Sequence, residues 1–328
     1  MDISDICDNV VVDRVTIADI EAAVQRTGEA AVRTPLLAQP WSTGRPLWLK
    51  PESLQPTGAF KIRGAYNAIA ALDDADRARG VVTYSSGNHA SAVARAAWLF
   101  GVPATIVMQD SAPRVKVTAT AAYGAEIVTV AMADREREAQ RLAEEHGRHI
   151  VPPFDHPDVI AGQGTVGIEI VEQLGDVDVV LVPVGGGGLA SGVGTAVRQL
   201  RPHAAVVAVE PELAGDTAQG LREGHRVDWP GELRARTVAD GLRTQPSELT
   251  FAHLTEVVDA VVTVTEQEIR DAVHALALRS RLVAEPSGAV AVAAALYRDH
   301  ELPPGRTVAV VSGGNIDADL LAEIVCAG

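Results

Sequence analysis

The sequence predicts an α/β protein built on two open, twisted parallel-sheet domains, the smaller inserted in the larger. Three observations carry this expectation. Short β-branched runs alternate with helical stretches from about Val81 onward. Those stretches open on helix caps or close on glycine. Strands such as VDVVLVPV are apolar without alternation, which implies sheets covered on both faces.

The elements follow in order. VVTY is a strand, and HASAVARAAWLF a helix closed by Gly101. ATIVM is the next strand, followed by a helix through Lys116 to Tyr123 that stops at Gly124. EIVTV is the third strand, followed by the charged helix DREREAQRLAEEHG, again ending in glycine. This βαβαβ unit occupies residues 80–149. A second series begins after the Pro-rich VPPFDHPD: VDVVLVPV as a strand, GGGGLASGVGTAVRQL as loop and helix, and AVVAVEP as a strand. VVDAVVTV is a further strand, TEQEIRDAVHALALRS a helix with a Thr265/Glu268 capping box, and TVAVVSGGN a strand ending in glycines. The expected large domain is residues 1–70 with 158–328.

Composition narrows the function. A chain of 328 residues has ample core, and with 47% hydrophobic but only 4% aromatic residues that core is aliphatic. A net charge of -15 argues against nucleic acid, whose phosphates need a basic surface. The two cysteines, Cys7 and Cys326, lie near opposite termini and read as free thiols of a reducing compartment. MDISDICDNVVVDRVT has no basic start followed by an apolar run, and no apolar stretch is long enough for a membrane span. A soluble cytoplasmic protein is expected.

Four stretches carry chemistry. In PTGAFKIRGAYNAI, Lys61 sits between Phe60 and Ile62 at the mouth of a helix. A lysine among apolar neighbours loses hydration, its pKa falls, and its neutral amine becomes a nucleophile able to form Schiff bases. Alone, the stretch reads more readily as a lysine snorkelling from an amphipathic helix. PVGGGGLASG follows a buried strand and opens a helix, so its backbone N–H groups can converge on an anion. It lacks GxxxxGK[ST], and a loose GxGxxG fit has no clear acidic ribose partner; phosphate binding is the expectation. SSGNHASAVARAA is a second strand-to-helix junction, where Ser86 or Asn88 is a candidate cap and the loop suits a carboxylate ligand. SGGNID is a third. Together they point to a ligand with a phosphate and a group for an amine to condense with, at the carboxyl ends of strands.

In this order KPESLQPTGAFKIRGA, SSGNHA, PFDHPDVIAGQGT, VPVGGGGLASG, VEPE, EPSGA and SGGN resemble the threonine/serine dehydratase and serine racemase family. These are pyridoxal-phosphate (PLP) enzymes of fold type II, the tryptophan synthase β-like fold, and the resemblance runs from about Leu47 to Asp317. It implies that Lys61 holds the cofactor as a Schiff base and later serves as acid and base. Phe60 would pack on the pyridine ring, Asn88 would bond the ring hydroxyl, and Gly185, Gly186, Gly187 and Gly188 with Leu189 would cradle the phosphate. Ser312 would face the pyridine nitrogen, and Glu285 of EPSGA joins the cofactor set. A neutral hydroxyl there makes the ring a weaker electron sink, favouring β-elimination over transamination.

For the substrate, the resemblance implies Ser85, Ser86, Gly87, Asn88 and His89, with Ser86 the second proton carrier in racemases. Arg137 is a further candidate, although DREREAQR reads as a solvated face. Glu210, the Ala214 carbonyl and Asp216 match a divalent-cation site whose oxygen ligands suit Mg²⁺, Ca²⁺ or Mn²⁺. Ala59, Ser91 and Gln109 depart from the family pattern; the first two bear on the active-site wall and put threonine as preferred substrate in question. The implied reaction is dehydration and deamination of a small β-hydroxy amino acid, L-threonine or L-serine, to a 2-oxo acid and ammonia. Serine racemisation and dehydration of 3-hydroxyaspartate are alternatives within the fold. A nicotinamide dehydrogenase and a non-catalytic cofactor-binding protein are alternatives outside it. A homodimer is implied, with no C-terminal regulatory domain and no inhibition by isoleucine.

Overall fold

The computed structural model describes residues 14–112 and 114–327. Among them, ten strands form two sheets. The strands are β1 (Leu37–Ala38), β2 (Leu47–Pro51), β3 (Val81–Tyr84), β4 (Ala104–Gln109) and β5 (Glu126–Val130), then β6 (His149–Ile150), β7 (Val179–Pro183), β8 (Ala205–Pro211), β9 (Ala260–Val264) and β10 (Thr307–Val311). The six-stranded sheet has the order β1-β2-β10-β7-β8-β9, parallel except for the antiparallel β1–β2 pair. The four-stranded sheet, β5-β4-β3-β6, is wholly parallel. Its strands all fall between β2 and β7 in the chain, so the architecture is the expected α/β one.

Both faces of the large sheet are covered, which is why its strands lack polar alternation. Val179 and Leu181 of β7 pack on one side with Val207, Val209, Ala309 and Val311. Val180 and Val182 pack on the other with Val206, Ala208, Val308 and Val310. The EIVTV and AVVAVEP runs coincide with β5 and β8. VVDAVVTV pairs only from Ala260, because Val257 still ends the helix Glu248–Val257. The Thr265/Glu268 capping box is present, and the following helix ends at Ala275 in a π-helical turn, Leu276–Ser280. β1, β2 and β6 were not expected; two are only two residues long, and β2 carries Lys50 in its core. Cys326 is a free, exposed thiol, while Cys7 lies outside the described residues. No helix among the described residues is long and apolar enough to cross a membrane.

The helix Pro157–Gln173 is the part of the frame that the sequence pattern hid, because it is buried almost all round. It packs on the helices Lys61–Ala71 and Gly188–Leu200 through glycine seams. A Cβ at Gly162 would lie 2.6 Å from the Arg63 carbonyl oxygen and from Gly64 Cα. A Cβ at Gly192 would collide with the Ile160 carbonyl and lie 2.6 Å from Gly164 N. Removing side chains at these crossings lets backbones touch, at a cost in helix propensity that the packing has to offset.

Four charges are buried beside these helices. Arg63 Nε donates to Glu52 Oε2 (2.7 Å) and Arg63 Nη1 to Glu169 Oε1 (2.6 Å) and Thr165 Oγ1 (3.0 Å). Lys50 Nζ donates to Glu169 Oε2 (2.6 Å), the Thr34 carbonyl (2.7 Å) and Gln173 Oε1 (2.9 Å). Burial alone would raise the Glu52 pKa, but Arg63, Thr34 and Lys50 override it and hold the carboxyl below its usual range. Lys50 is pulled below the usual lysine value by burial, only partly offset by Glu169 and Glu52. Such a cluster is stable only while every charge keeps its partner. Glu52→Gln is expected to lower stability by about 3–5 kcal/mol, the cost of leaving Arg63 and Lys50 to share Glu169 with one buried positive charge uncompensated. Urea unfolding measures it, and a loss under about 1 kcal/mol would show that the guanidinium finds water instead.

Candidate active site

Lys61 is the first residue of the helix Lys61–Ala71, entered from Phe60 without a side-chain cap. The preceding loop is stitched to the end of β10. Phe60 N donates to the Ser312 carbonyl (3.1 Å), Gly314 N to the Gly58 carbonyl (2.8 Å), and Ala59 bridges Gly313. Lys61 therefore starts its helix at the carboxyl edge of the large sheet. Its Nζ donates to the Pro153 carbonyl (2.6 Å) and lies 5.0 Å from the Phe60 ring centroid. Burial lowers its pKa to about 8. An amine so placed is neutral in about a tenth of molecules at pH 7, far more than a solvated lysine would be.

The four glycines turn from β7 into the helix Gly188–Leu200, with Gly187 in the left-handed region (φ +87°). Side chains have no room here. A Cβ at Gly185 would sit 2.9 Å from Leu242 Cα, at Gly187 2.9 Å from Thr250 Cβ, and at Gly186 inside the Phe154 ring. The first N–H groups of a helix lack intrahelical partners and carry partial positive charge, so this turn has the geometry that suits an anion. Pro153 and Phe154 join the two features: one carbonyl receives the lysine, and the next ring closes on the glycines. The sequence offers PFDHPD only as part of a longer motif; nothing in its residue types marks that carbonyl.

The third loop follows β3. Neither Ser86 nor Asn88 caps the helix Asn88–Phe100; its N-cap is Gly87, with no side-chain cap. Ser85 Oγ instead accepts from Gly87 N (3.2 Å), and Ser86 Oγ from Gln109 N (3.1 Å). Each hydroxyl keeps its own proton to donate. A Cβ at Gly87 would meet nothing within 4 Å, so the loop faces open space. His89 is buried and neutral, its pKa pushed down to about 3 by burial and the nearby Lys61. Nε2–H donates to the Val151 carbonyl (2.9 Å) and Nδ1 has no partner.

Asn88 reaches across to the large sheet, where its Nδ2 donates to Glu285 Oε1 (2.6 Å). Burial, with the neighbouring Asp240 charge, pushes the Glu285 carboxyl up to about 8, so it is protonated at neutral pH. Ser312 is buried, its hydroxyl donating to the Ser287 carbonyl (3.4 Å). Arg137 stands apart from these groups, its side chain 79% exposed and paired with Asp134. Ala59 is buried, and Ser91 Oγ meets Thr120 Oγ1 at 3.3 Å.

Away from the lysine, Glu210 at the end of β8 accepts from Thr217 N (3.1 Å) and Ala218 N (2.8 Å). Burial, with Asp216, raises its pKa to about 8; burial raises Asp216 to about 6. Both Asp216 carboxylate oxygens are buried without a hydrogen-bond partner among the described residues, and Ala214 ends the short turn between the two acids. No group of three or more His, Cys, Asp or Glu side chains among the described residues is arranged to hold a metal.

The residues fit PLP. A pKa-lowered amine can condense with its aldehyde, a glycine cradle that excludes any Cβ suits its phosphate, and an amide and a neutral hydroxyl offer polar contacts to its ring. Comparison with known proteins agrees. Residues 29–313 match the profile of the pyridoxal-phosphate dependent enzymes. The chain is 43% identical to an L-threo-3-hydroxyaspartate ammonia-lyase of Saccharomyces cerevisiae, covering 94% of this chain and 96% of that protein. It is 44% identical to an L-threonine ammonia-lyase of Thermotoga maritima, covering 96% of this chain and 79% of that protein. The structure of maize serine racemase superposes with a TM-score of 0.88 at 39% identity, covering 94% of this chain and 96% of that one. With a profile spanning most of the chain, and relatives this similar over nearly all of it, the protein belongs to the pyridoxal-phosphate-dependent enzymes of the threonine/serine dehydratase and serine racemase family.

Proposed function

We propose that the protein deaminates a small β-hydroxy amino acid, L-threonine or L-serine, to a 2-oxo acid and ammonia, by eliminating water and then taking it up again on hydrolysis. The observation that carries this reading is the Lys61 amine, made partly neutral by burial and held by the Pro153 carbonyl within a glycine-cradled site. The relatives named as ammonia-lyases support the reaction, one named for L-threonine and one for L-threo-3-hydroxyaspartate. PLP, when bound, supplies an electron-withdrawing ring that acidifies the substrate Cα–H. In this reading Phe60, Asn88, Gly185 to Gly188, Leu189, Glu285 and Ser312 hold it. The chain's own groups do the rest. Lys61 Nζ takes the α-proton, the β-hydroxyl takes up a proton and leaves as water, and the dehydrated product takes up water to give 2-oxo acid and ammonia. The N–H groups and hydroxyls of Ser85 to His89 receive the substrate carboxylate at a helix start. Residues 80–149 act as the small domain carrying that loop, and 1–70 with 158–328 as the large one.

A racemase reading has one feature in its favour: Ser86, fixed by Gln109 N, keeps an O–H to deliver a second proton. Chiral analysis of recovered L-serine beside an ammonia assay separates the two. Ammonia without D-serine supports the lyase, and D-serine in excess of ammonia overturns it.

Lys61→Ala should lose the borohydride-fixable visible band and cut turnover by at least about 10²–10⁴-fold, the usual worth of a positioned acid/base. Because Lys61 must be neutral to attack, the rate of covalent cofactor capture should rise with pH through about 8 and then level. A rate still climbing through pH 10 would mean an ordinary solvated lysine.

We also infer that Glu210, the Ala214 carbonyl and Asp216 bind a divalent cation, because two neighbouring buried carboxylates, Asp216 without a hydrogen-bond partner among the described residues, are costly when charged. With raised pKa values of about 8 and about 6, both acids ionise only at a cost to the fold as pH rises, and a cation offsets that cost. Mg²⁺, Ca²⁺ or Mn²⁺ should therefore raise Tm, more at pH 8 than at pH 6, and Asp216→Ala should abolish the increment. An unchanged Tm with all three ions at pH 8 would remove the site. A homodimer in the cytoplasm completes this reading; size-exclusion chromatography of the holoenzyme tests the dimer.

A further inference from the structure

We propose that Asn315 and Glu285 are positioning residues that fix the orientation of the Asn88 side-chain amide, so that it presents an N–H donor to the cofactor's ring oxygen. This rests on the reading that Asn88 contacts that oxygen. The two ends of a side-chain amide are alike in size, so partners alone decide which way it points. Here the chain of partners begins at an atom with no choice. The Thr57 backbone carbonyl can only accept, so the end of Asn315 that meets it at 2.8 Å is the NH₂. The same Asn315 Nδ2 lies 2.8 Å from Asn88, and a donor there requires the Asn88 oxygen. Asn88 Nδ2 is thereby turned to Glu285, whose Oε1 accepts at 2.6 Å. One N–H of Asn88 remains uncommitted, and a phenolic oxygen that accepts it is favoured in its charged form.

Two further features mark these residues as placed for the task. Glu285 occupies the N-cap position of the helix Pro286–Tyr297, yet its buried carboxyl leaves that helix uncapped and bonds a residue 197 positions away. Gly58 lies in the left-handed region (φ +72°), and a Cβ there would collide with the Asn315 amide. Asp240 and Lys116 are the charged groups whose fields act on Glu285; Asp240 favours its protonated form, which still accepts through one oxygen, and Lys116 opposes it.

Asn315 is solvent-exposed, so its substitution should leave the fold intact. The test is a PLP titration of cofactor-stripped wild type, N315A, N315D, E285Q, E285L and N88A, followed by absorption and fluorescence, with Tm beside it. N315D cannot donate to Thr57 or Asn88 and should weaken PLP binding by about tenfold and shift the absorption maximum of the bound cofactor, with Tm unchanged. N315A should shift the band in the same direction but less. E285Q can still accept through its carbonyl and should stay closer to wild type than E285L. Wild-type affinity and spectrum in both N315 variants, with N88A impaired, would overturn the positioning role alone. An unimpaired N88A would overturn the Asn88 contact itself, and the inference with it.

Discussion

The buried Arg63 guanidinium is the fixed point of this molecule. It is 1% exposed and grips Glu52 from the turn after β2 and Glu169 from the long central helix, while Lys50 grips Glu169 from β2. Desolvating four charges is expensive, and their mutual attraction repays it only in one geometry. That geometry therefore selects a single docking of two neighbouring segments against a helix more than a hundred residues further along the chain. Arg63 lies two residues after Lys61, so the same restraint that orders the core orders the first turn of the helix bearing the reactive amine. Hydrophobic burial on both faces of the large sheet supplies cohesion, but apolar contacts tolerate sliding. Directional charge pairs do not.

The reactive end of the lysine is set by other means. No carboxylate tunes Lys61; its pKa falls through burial, and its hydrogen bond goes to the uncharged Pro153 carbonyl. A neutral acceptor orients an amine without stabilising its charged form as strongly as a carboxylate would. The same economy holds at Ser312 and His89, both uncharged, and at Glu285, whose carboxyl is held neutral at pH 7. The site presents few fixed charges of its own and takes its electrostatics from backbone N–H groups at helix starts.

Much of this was legible in the sequence. The alternation of β-branched runs with glycine-closed helices gave the α/β class, and the tetraglycine turn declared itself because glycine repeats have few other uses. Lys61 was legible only through company: its own neighbours fit a surface helix as well. What the sequence hid has physical causes. The helix Pro157–Gln173 is buried all round and so shows no amphipathic period. The roles of Ser86 and Asn88 could not be told from helix capping, since both residue types serve either purpose, and here the cap position falls to Gly87. Pro153 acts through a backbone carbonyl, which leaves no mark on residue type. Arg137 had the right charge, but its helix turns it to solvent beside Asp134.

The glycine seams give the parts of the site different supports. The lysine helix and the glycine-cradle helix rest on one common helix, backbone against backbone, so the span between amine and cradle is gauged by a rigid spacer with no side chains to give. The Ser85–His89 loop hangs instead from β3 of the other sheet, tied to the large one through side chains such as the Asn88–Glu285 bond. The proposed cofactor residues on the two helices therefore share one support, and the Ser85–His89 loop has another. A substitution at a glycine seam would thus disturb the spacing of amine and glycine turn without touching the loop's own attachment to β3.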